Sequence, residues 1–190
     1  MFENSSITIG KYEPRLVVEN NLKNVLVDSG YYETLNYSLY TASACDKLLL
    51  KEDDERRKVI QIANPISEDL STVRTVMAHA WLLDISYNLV VGNKDLRLFE
   101  AGRVYQPKEL PLKELPVENN RLSFAVCESG YDFFMLKGVV ENLLVPFRIE
   151  YTLERSKEPY LHSGVSADIV TKDGKVIGWF GKVHKNVLKN

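Results

Sequence analysis

The chain has 190 residues, with 24 lysines and arginines against 26 aspartates and glutamates, for a net charge of −2. That balance argues against a surface whose main task is gripping nucleic acid, because such affinity follows the number of phosphates neutralised. Apolar content of 45% and charged content of 26% are ordinary for a globular protein, and no apolar run approaches the roughly 20 residues that span a bilayer.

The first six residues, Met-Phe-Glu-Asn-Ser-Ser, lack a basic region followed by an apolar core, so no secretory signal is visible. Without secretion, the Asn-x-Ser sequons at Asn4 and Asn36 carry no meaning. Cys45 and Cys127 stand alone, outside any Cys-x-x-Cys spacing, and read as reduced cytoplasmic thiols. Residues 1–13 show little periodicity and read as a lead-in from an upstream domain. Pro14 then suits a first helical turn, and Val18, Leu22, Val25 and Leu26 form an apolar stripe closed by Gly30 as a C-terminal cap. Glu33 to Tyr40 alternates as a strand, and Thr41 is placed to cap a short helix through Leu50. The mixed-sign run Lys51 to Lys58 reads as a solvated loop; its Asp53 and Asp54 lack neighbours that would build an oxygen cage for a metal. Val59 to Ala63 is a short strand before Asn64-Pro65, which breaks regular structure.

Ser71 to Val91 is predicted as the longest helix, with Val73, Val76, Met77, Ala80, Leu83, Tyr87 and Val90 inward and Gly92 at its end. Trp81 and Leu82 widen that face, so the helix is expected to be deeply buried, with His79 partly exposed on it. Leu98 to Gln106 is a strand, residues 106–119 an extended connection with three prolines, and Leu122 to Cys127 a strand again. Asp132 caps a helix whose inward face is Phe133, Leu136, Val140 and Leu143, stopped by Pro146. Gly138 inside it costs about 1 kcal/mol against alanine, which suggests a close backbone approach. Arg148 to Glu154 alternates as a strand, and Ser163 to Thr171 and Lys175 to Lys182 flank a hairpin turn at Asp173-Gly174. His184 opens a helical tail, Lys185 to Asn190, with no cap or apolar partner, so the chain reads as cut from something longer. His162 and His184 are placed to meet across the last sheet, either as a metal pair or as hydrogen-bonded structural residues. No phosphate loop, dinucleotide fingerprint, zinc-protease motif or serine-nucleophile turn occurs. The strand–helix order does not alternate as βαβ units would, so the fold class is α+β, a mostly antiparallel sheet flanked by helices.

Several of these runs resemble a known family. They are Asn64 to Leu70 leading to Val73-Arg74-Thr75; Leu98-Phe99-Glu100-Ala101-Gly102-Arg103-Val104-Tyr105-Gln106; and Asp132 to Gly138, with its Lys137. Leu161-His162-Ser163-Gly164 and Gly178-x-x-Gly181-Lys182-Val183-His184 complete the set. Together they resemble the β chain of bacterial-type phenylalanine–tRNA ligase, in the part built like a class II synthetase core, over about residues 14–190. The Pro14–Ser29 helix running into Gly30-Tyr31-Tyr32-Glu33 is similar to the class II first motif, whose helices form subunit interfaces; a helix packed only on its own sheet gives the same stripe.

Catalytic cores of this kind run Phe-Glu-x-Gly-Arg-x-Tyr/Phe and then Arg, which clamps ATP phosphate. Here that position is Gln106. Adenylate formation builds negative charge on phosphate oxygens, for which a guanidinium offers fixed bidentate donors; a neutral amide offers none of that stabilisation. Gln106 can equally be a strand-end residue without a role. A third, C-terminal glycine-rich motif with its own Arg does not occur in the sequence.

The resemblance therefore implies a catalytically silent, synthetase-like interface domain without a cofactor of its own. It would sit in an (αβ)₂ enzyme that uses ATP and magnesium, the α chain activating phenylalanine and charging tRNA-Phe. A remnant pocket is expected at Arg74, Glu100, Gly102, Gln106, Lys137 and Gly138, and an interface at Val18, Leu22, Val25 and Leu26. Two alternatives stand beside it: an active nucleotide-binding enzyme using Lys137 or Arg103, and a tRNA-binding module.

Overall fold

A computed structural model describes residues 10–189. The first nine residues of the expected lead-in, and Asn190 of the expected tail, lie outside them. Helix α1 (Pro14–Asp28) ends as its glycine requires: Gly30 sits at φ +82°, its N–H bonds to Val27 O at 2.9 Å, and Tyr31 N–H bonds to Leu26 O at 3.0 Å. This is the Schellman arrangement, and Tyr31 and Leu26 also meet in one apolar cluster, as that motif favours.

Next come β1 (Tyr32–Glu33), β2 (Leu39–Tyr40), α2 (Ala44–Lys47), β3 (Ile60–Gln61), β4 (Thr72–Val73) and α3 (Ala78–Val90). The chain continues through β5 (Leu96–Gln106), β6 (Val117–Cys127), α4 (Phe133–Leu144), β7 (Tyr151–Arg155), β8 (Leu161–Thr171) and β9 (Val176–Val183). The fold is α+β, but the expected sheet is divided into three, ordered β1-β5-β6, β2-β4-β3 and β7-β8-β9. Every pairing is antiparallel except β1 with β5.

Strand β5 is covered on both faces. Phe99, 1% exposed, packs with Leu26, Tyr31 and Leu143 on the α1–α4 side, while Leu98, Glu100 and Val104 turn the other way and are also buried. On that second side α3 closes over the sheet, with Trp81 donating its indole N–H to Ser123 Oγ at 2.7 Å. Helix α4 is capped by Asp132, whose Oδ1 accepts from Met135 N–H at 2.8 Å, and it buries Val140 and Leu143. The β8–β9 turn has Gly174 at φ +80° and paired Gly174 N–H to Thr171 O and Thr171 N–H to Lys175 O bonds of 2.8 and 2.9 Å. Only the glycine takes the left-handed conformation, as in a type I turn with a following bulge.

Several expectations are corrected. Residues 33–40 do not run as one strand: Leu35 and Tyr37 are exposed in a link between β1 and β2. Helix α2 covers four residues and does not reach Leu50. The long helix starts at Ala78, not Ser71, because Thr72 and Val73 pair as a strand with both β2 and β3. Its expected inward face is only half right, since Leu83, Tyr87 and Val90 are 55%, 68% and 83% exposed. The loop Lys51 to Lys58 is not wholly solvated: Arg56 bridges Asp54 at 2.7 Å and Glu158 at 2.8 Å, all largely buried. The tail has an apolar partner after all, Val187 being buried in the cluster of Tyr40, Leu48 and Trp81. A Cβ at Gly138 would meet open space, so no close approach explains that glycine. Among the described residues, no helix is long and apolar enough to cross a membrane.

His79 is buried, not partly exposed, with its ring 6.2 Å from that of Tyr40. Burial pushes its imidazole below the usual histidine range, and the charge of Lys47 adds to this. Unfolded His79 takes up a proton near pH 6.5 while folded His79 resists, so the unfolded state binds more protons. Stability therefore falls as pH drops below about 6.5. His79→Phe is expected to flatten that decline in urea midpoints taken from pH 7 to pH 5; an unchanged slope would show that another group drives it.

Candidate functional site

Three of the six expected pocket residues come together. Arg74 follows β4, and its backbone is clamped between Ser38 O, which accepts its N–H at 2.9 Å, and Tyr105 N–H, which donates to its carbonyl at 3.0 Å. This turns the guanidinium onto β5. Nε donates to Arg103 O at 2.7 Å and Nη1 lies 2.9 Å from Glu100 Oε1, both side chains being almost fully buried. Glu100 Oε2 also accepts from Asn36 Nδ2 at 3.0 Å.

Gly102 completes the arrangement by absence. A Cβ there would collide with the Arg74 guanidinium and lie 2.8 Å from Glu100 Oε1. Only a residue without a side chain lets the guanidinium lie across the strand at this point. Asp84, from α3, approaches the same cluster through Asn36. Burial raises its carboxyl above the usual range, the Asn36 hydrogen bond pulls it down, and the charge of Glu100 raises it further. Its Oδ2 is buried with no hydrogen-bond partner among the described residues. The guanidinium contacts Glu100 directly, whereas Asp84 reaches the cluster through Asn36.

The other three lie elsewhere. Gln106 ends β5, where its Oε1 accepts from Asn119 Nδ2 at 3.1 Å on β6. Lys137 pairs with Glu141 one turn along α4 at 2.7 Å, and Gly138 beside it faces open space. Arg103, the other candidate cation, pairs with Glu118 at 2.7 Å. His162 and His184 do meet, with ring centres 6.4 Å apart, and each Nδ1 accepts a backbone N–H, from Gly164 and Asn186 respectively. Among the described residues no three or more His, Cys, Asp or Glu gather as metal ligands would. Asn36 and Asp84 were not singled out by sequence reasoning. Asn36 bore only a sequon, and Asp84 only its place on a helix; neither pattern points to Glu100.

Of the interface stripe, Leu26 is fully buried inside the chain, Leu22 and Val25 pack against the same cluster, and Val18 is 41% exposed. Beside it Val17 is 45% exposed.

Residues 2–190 match the family model described as the phenylalanyl tRNA synthetase beta chain CLM domain. The chain belongs to that family. A phenylalanine–tRNA ligase beta subunit from Clostridium acetobutylicum is 36% identical over 191 residues, 99% of this chain and 24% of that protein. Beta subunits from Syntrophus aciditrophicus and Syntrophotalea carbinolica are 34% and 37% identical over 96% and 88% of the chain, and 25% and 22% of their own lengths. This CLM domain therefore spans about a quarter of the length of the curated relatives it matches.

Proposed function

We propose that this CLM domain is a catalytically silent, class II synthetase-like brace in a phenylalanine–tRNA ligase β subunit, supporting an α subunit that activates phenylalanine and charges tRNA-Phe. The observation that carries the reading is how the charges near the synthetase-like motif are used. Arg74 is consumed by Glu100 and Arg103 O, Arg103 by Glu118 and Lys137 by Glu141, and the position expected to clamp ATP holds an amide bonded to Asn119. A triphosphate needs several cations free of carboxylate partners. The surface pairs would exchange partners at little cost, but Arg74 would have to leave Glu100 unpaired in the interior.

Under this reading ATP and magnesium act in the whole enzyme, an (αβ)₂ assembly of the cytoplasm, with none bound by this domain. Contact with α is placed on the open part of the α1 stripe, Val18 with Val17, while Leu26 sets the helix on its sheet from inside. The domain is expected to give no ATP–pyrophosphate exchange, and to co-elute with its α subunit. Val18→Asp is expected to weaken that co-elution about tenfold, about 1.4 kcal/mol. Robust exchange by the domain alone would falsify the silent reading; undiminished co-elution of Val18→Asp would move the interface elsewhere.

A further inference from the structure

Charge is divided unevenly along the chain. Residues 1–147 carry 16 lysines and arginines against 21 aspartates and glutamates, whereas residues 148–190 carry 8 against 5. Ion pairing sharpens the contrast. Ten of the 16 earlier cations are paired with a carboxylate. Of the 8 later ones only Lys172 is paired, with Glu150. Among the described residues, Arg155, Lys182 and Lys185 are exposed and have no carboxylate partner.

The last sheet gathers these cations on one face. Arg155 pairs with Ala167 and Ala167 with Phe180, so all three lie on the side turned to α4. Successive side chains of a strand alternate, so Lys182 follows Phe180 on that side, and His184 comes next, just past the strand end. His162 meets His184 there, with ring centres 6.4 Å apart. Arg155 reaches toward them by donating its Nε–H to Ser163 O at 2.8 Å. The two acids on these strands take the opposite face, where Glu154 pairs with Asp168 and Asp168 with Trp179. The histidines add donors. Their Nδ1 atoms accept the N–H groups of Gly164 at 3.1 Å and Asn186 at 3.2 Å, which leaves each ring proton on Nε2. Neither Nε2 has a hydrogen-bond partner among the described residues. A metal would need a lone pair at that atom, whereas an anion takes the N–H.

We propose that this face, with Arg155, His162, Lys182, His184 and Lys185, is a contact site for the phosphate backbone of RNA. Its ligand is tRNA, which follows from the assignment to a tRNA-charging enzyme, and the inference rests on that reading. Guanidinium, ammonium and imidazole N–H groups are donors that phosphate oxygens accept from. Trp179, which could stack a base, is turned to the other face with Glu154 and Asp168. The site therefore positions a backbone and reads no sequence. One cationic face on a chain of nearly balanced charge makes a supplementary contact, not the main grip.

Fluorescence anisotropy of a labelled tRNA-Phe transcript, titrated with the 190-residue chain at several salt concentrations, tests this. Three cations on phosphates give a slope of about −2.7 in log affinity against log salt, so binding should weaken about 40-fold between about 50 and 200 mM salt. Lys182→Ala combined with Lys185→Ala should make that slope shallower by about two. Lys51→Ala combined with Lys94→Ala removes the same charge elsewhere and should leave the slope unchanged. All four lysines are exposed, so urea midpoints should not move. No binding at about 50 mM salt, an unchanged slope for the Lys182 and Lys185 variant, or equal shallowing in both double variants overturns the proposal. None of these results bears on the silent reading, which is decided by pyrophosphate exchange and co-elution with α.

Discussion

Replacing Arg74 with alanine is expected to lower the unfolding free energy by about 3–5 kcal/mol, because it strands the Glu100 carboxylate in the interior. Both side chains are almost fully buried, and with Arg74 gone Glu100 keeps, among the described residues, the Asn36 amide. Small domains have about 5–15 kcal/mol in total, so the variant would lie close to the limit of folding. In urea the midpoint should fall by more than about 1 M. Two further variants separate charge from shape. Arg74→Lys should not restore stability, because a single ammonium cannot reach Glu100 and Arg103 O with the same planar fork. The double change Arg74→Met with Glu100→Leu should recover most of the loss, since a buried ion pair replaced whole by apolar groups is often neutral or better. A loss below about 1 kcal/mol for Arg74→Ala would show that the pair is solvated in solution.

The second large effect lies on the opposite face of the same strand. Phe99→Ala is expected to cost about 3–5 kcal/mol, the range for emptying a well-packed aromatic site. Phe99 is 1% exposed and shares its cluster with Leu26 of α1, Tyr31 after the helix cap, and Leu143 of α4. Its carbonyl also accepts the Thr34 N–H at 2.7 Å, next to β1. The deletion should therefore loosen α1 first, and amide exchange in Pro14–Asp28 should accelerate more than exchange in β8 and β9. Uniform acceleration over the whole domain would mean that β5 does not act as the local anchor. Since Phe99 and Glu100 face opposite sides, the two predictions probe separate clusters through one strand.

If the domain is a silent brace, these stability effects are the way its residues would influence aminoacylation. A substitution at Arg74 would then lower the yield of assembled enzyme, while the activity per assembled enzyme would stay near normal. Quantifying assembled complex alongside activity distinguishes that from a direct role in catalysis.

The elements that could be read from the chain alone are those whose signals are local. Helix α1 ends at Gly30 because only glycine takes the left-handed conformation there without strain, and α4 begins at Asp132 because its carboxylate meets an N–H three residues on. The Asp173-Gly174 turn and the long strand β5 follow from equally short-range patterns. Tertiary pairing decided the rest. Thr72 and Val73 lie in a helical periodicity, yet they pair with β2 and β3, because two neighbouring strands offer the backbone more than one helical turn does. Arg56, His79 and Val187 have side chains typical of a loop, a helix surface and a tail; Arg56 is largely covered, and His79 and Val187 are buried, because chain segments far away in sequence pack over them. The Arg74–Glu100 pair joins residues 26 apart, and nothing in either motif names the other as its partner. Glu100, Gly102 and Gln106 are three points of one motif in the sequence. The fold gives them different work, because β5 sets the first two under Arg74 and carries the third to its far end, where it meets Asn119 of β6.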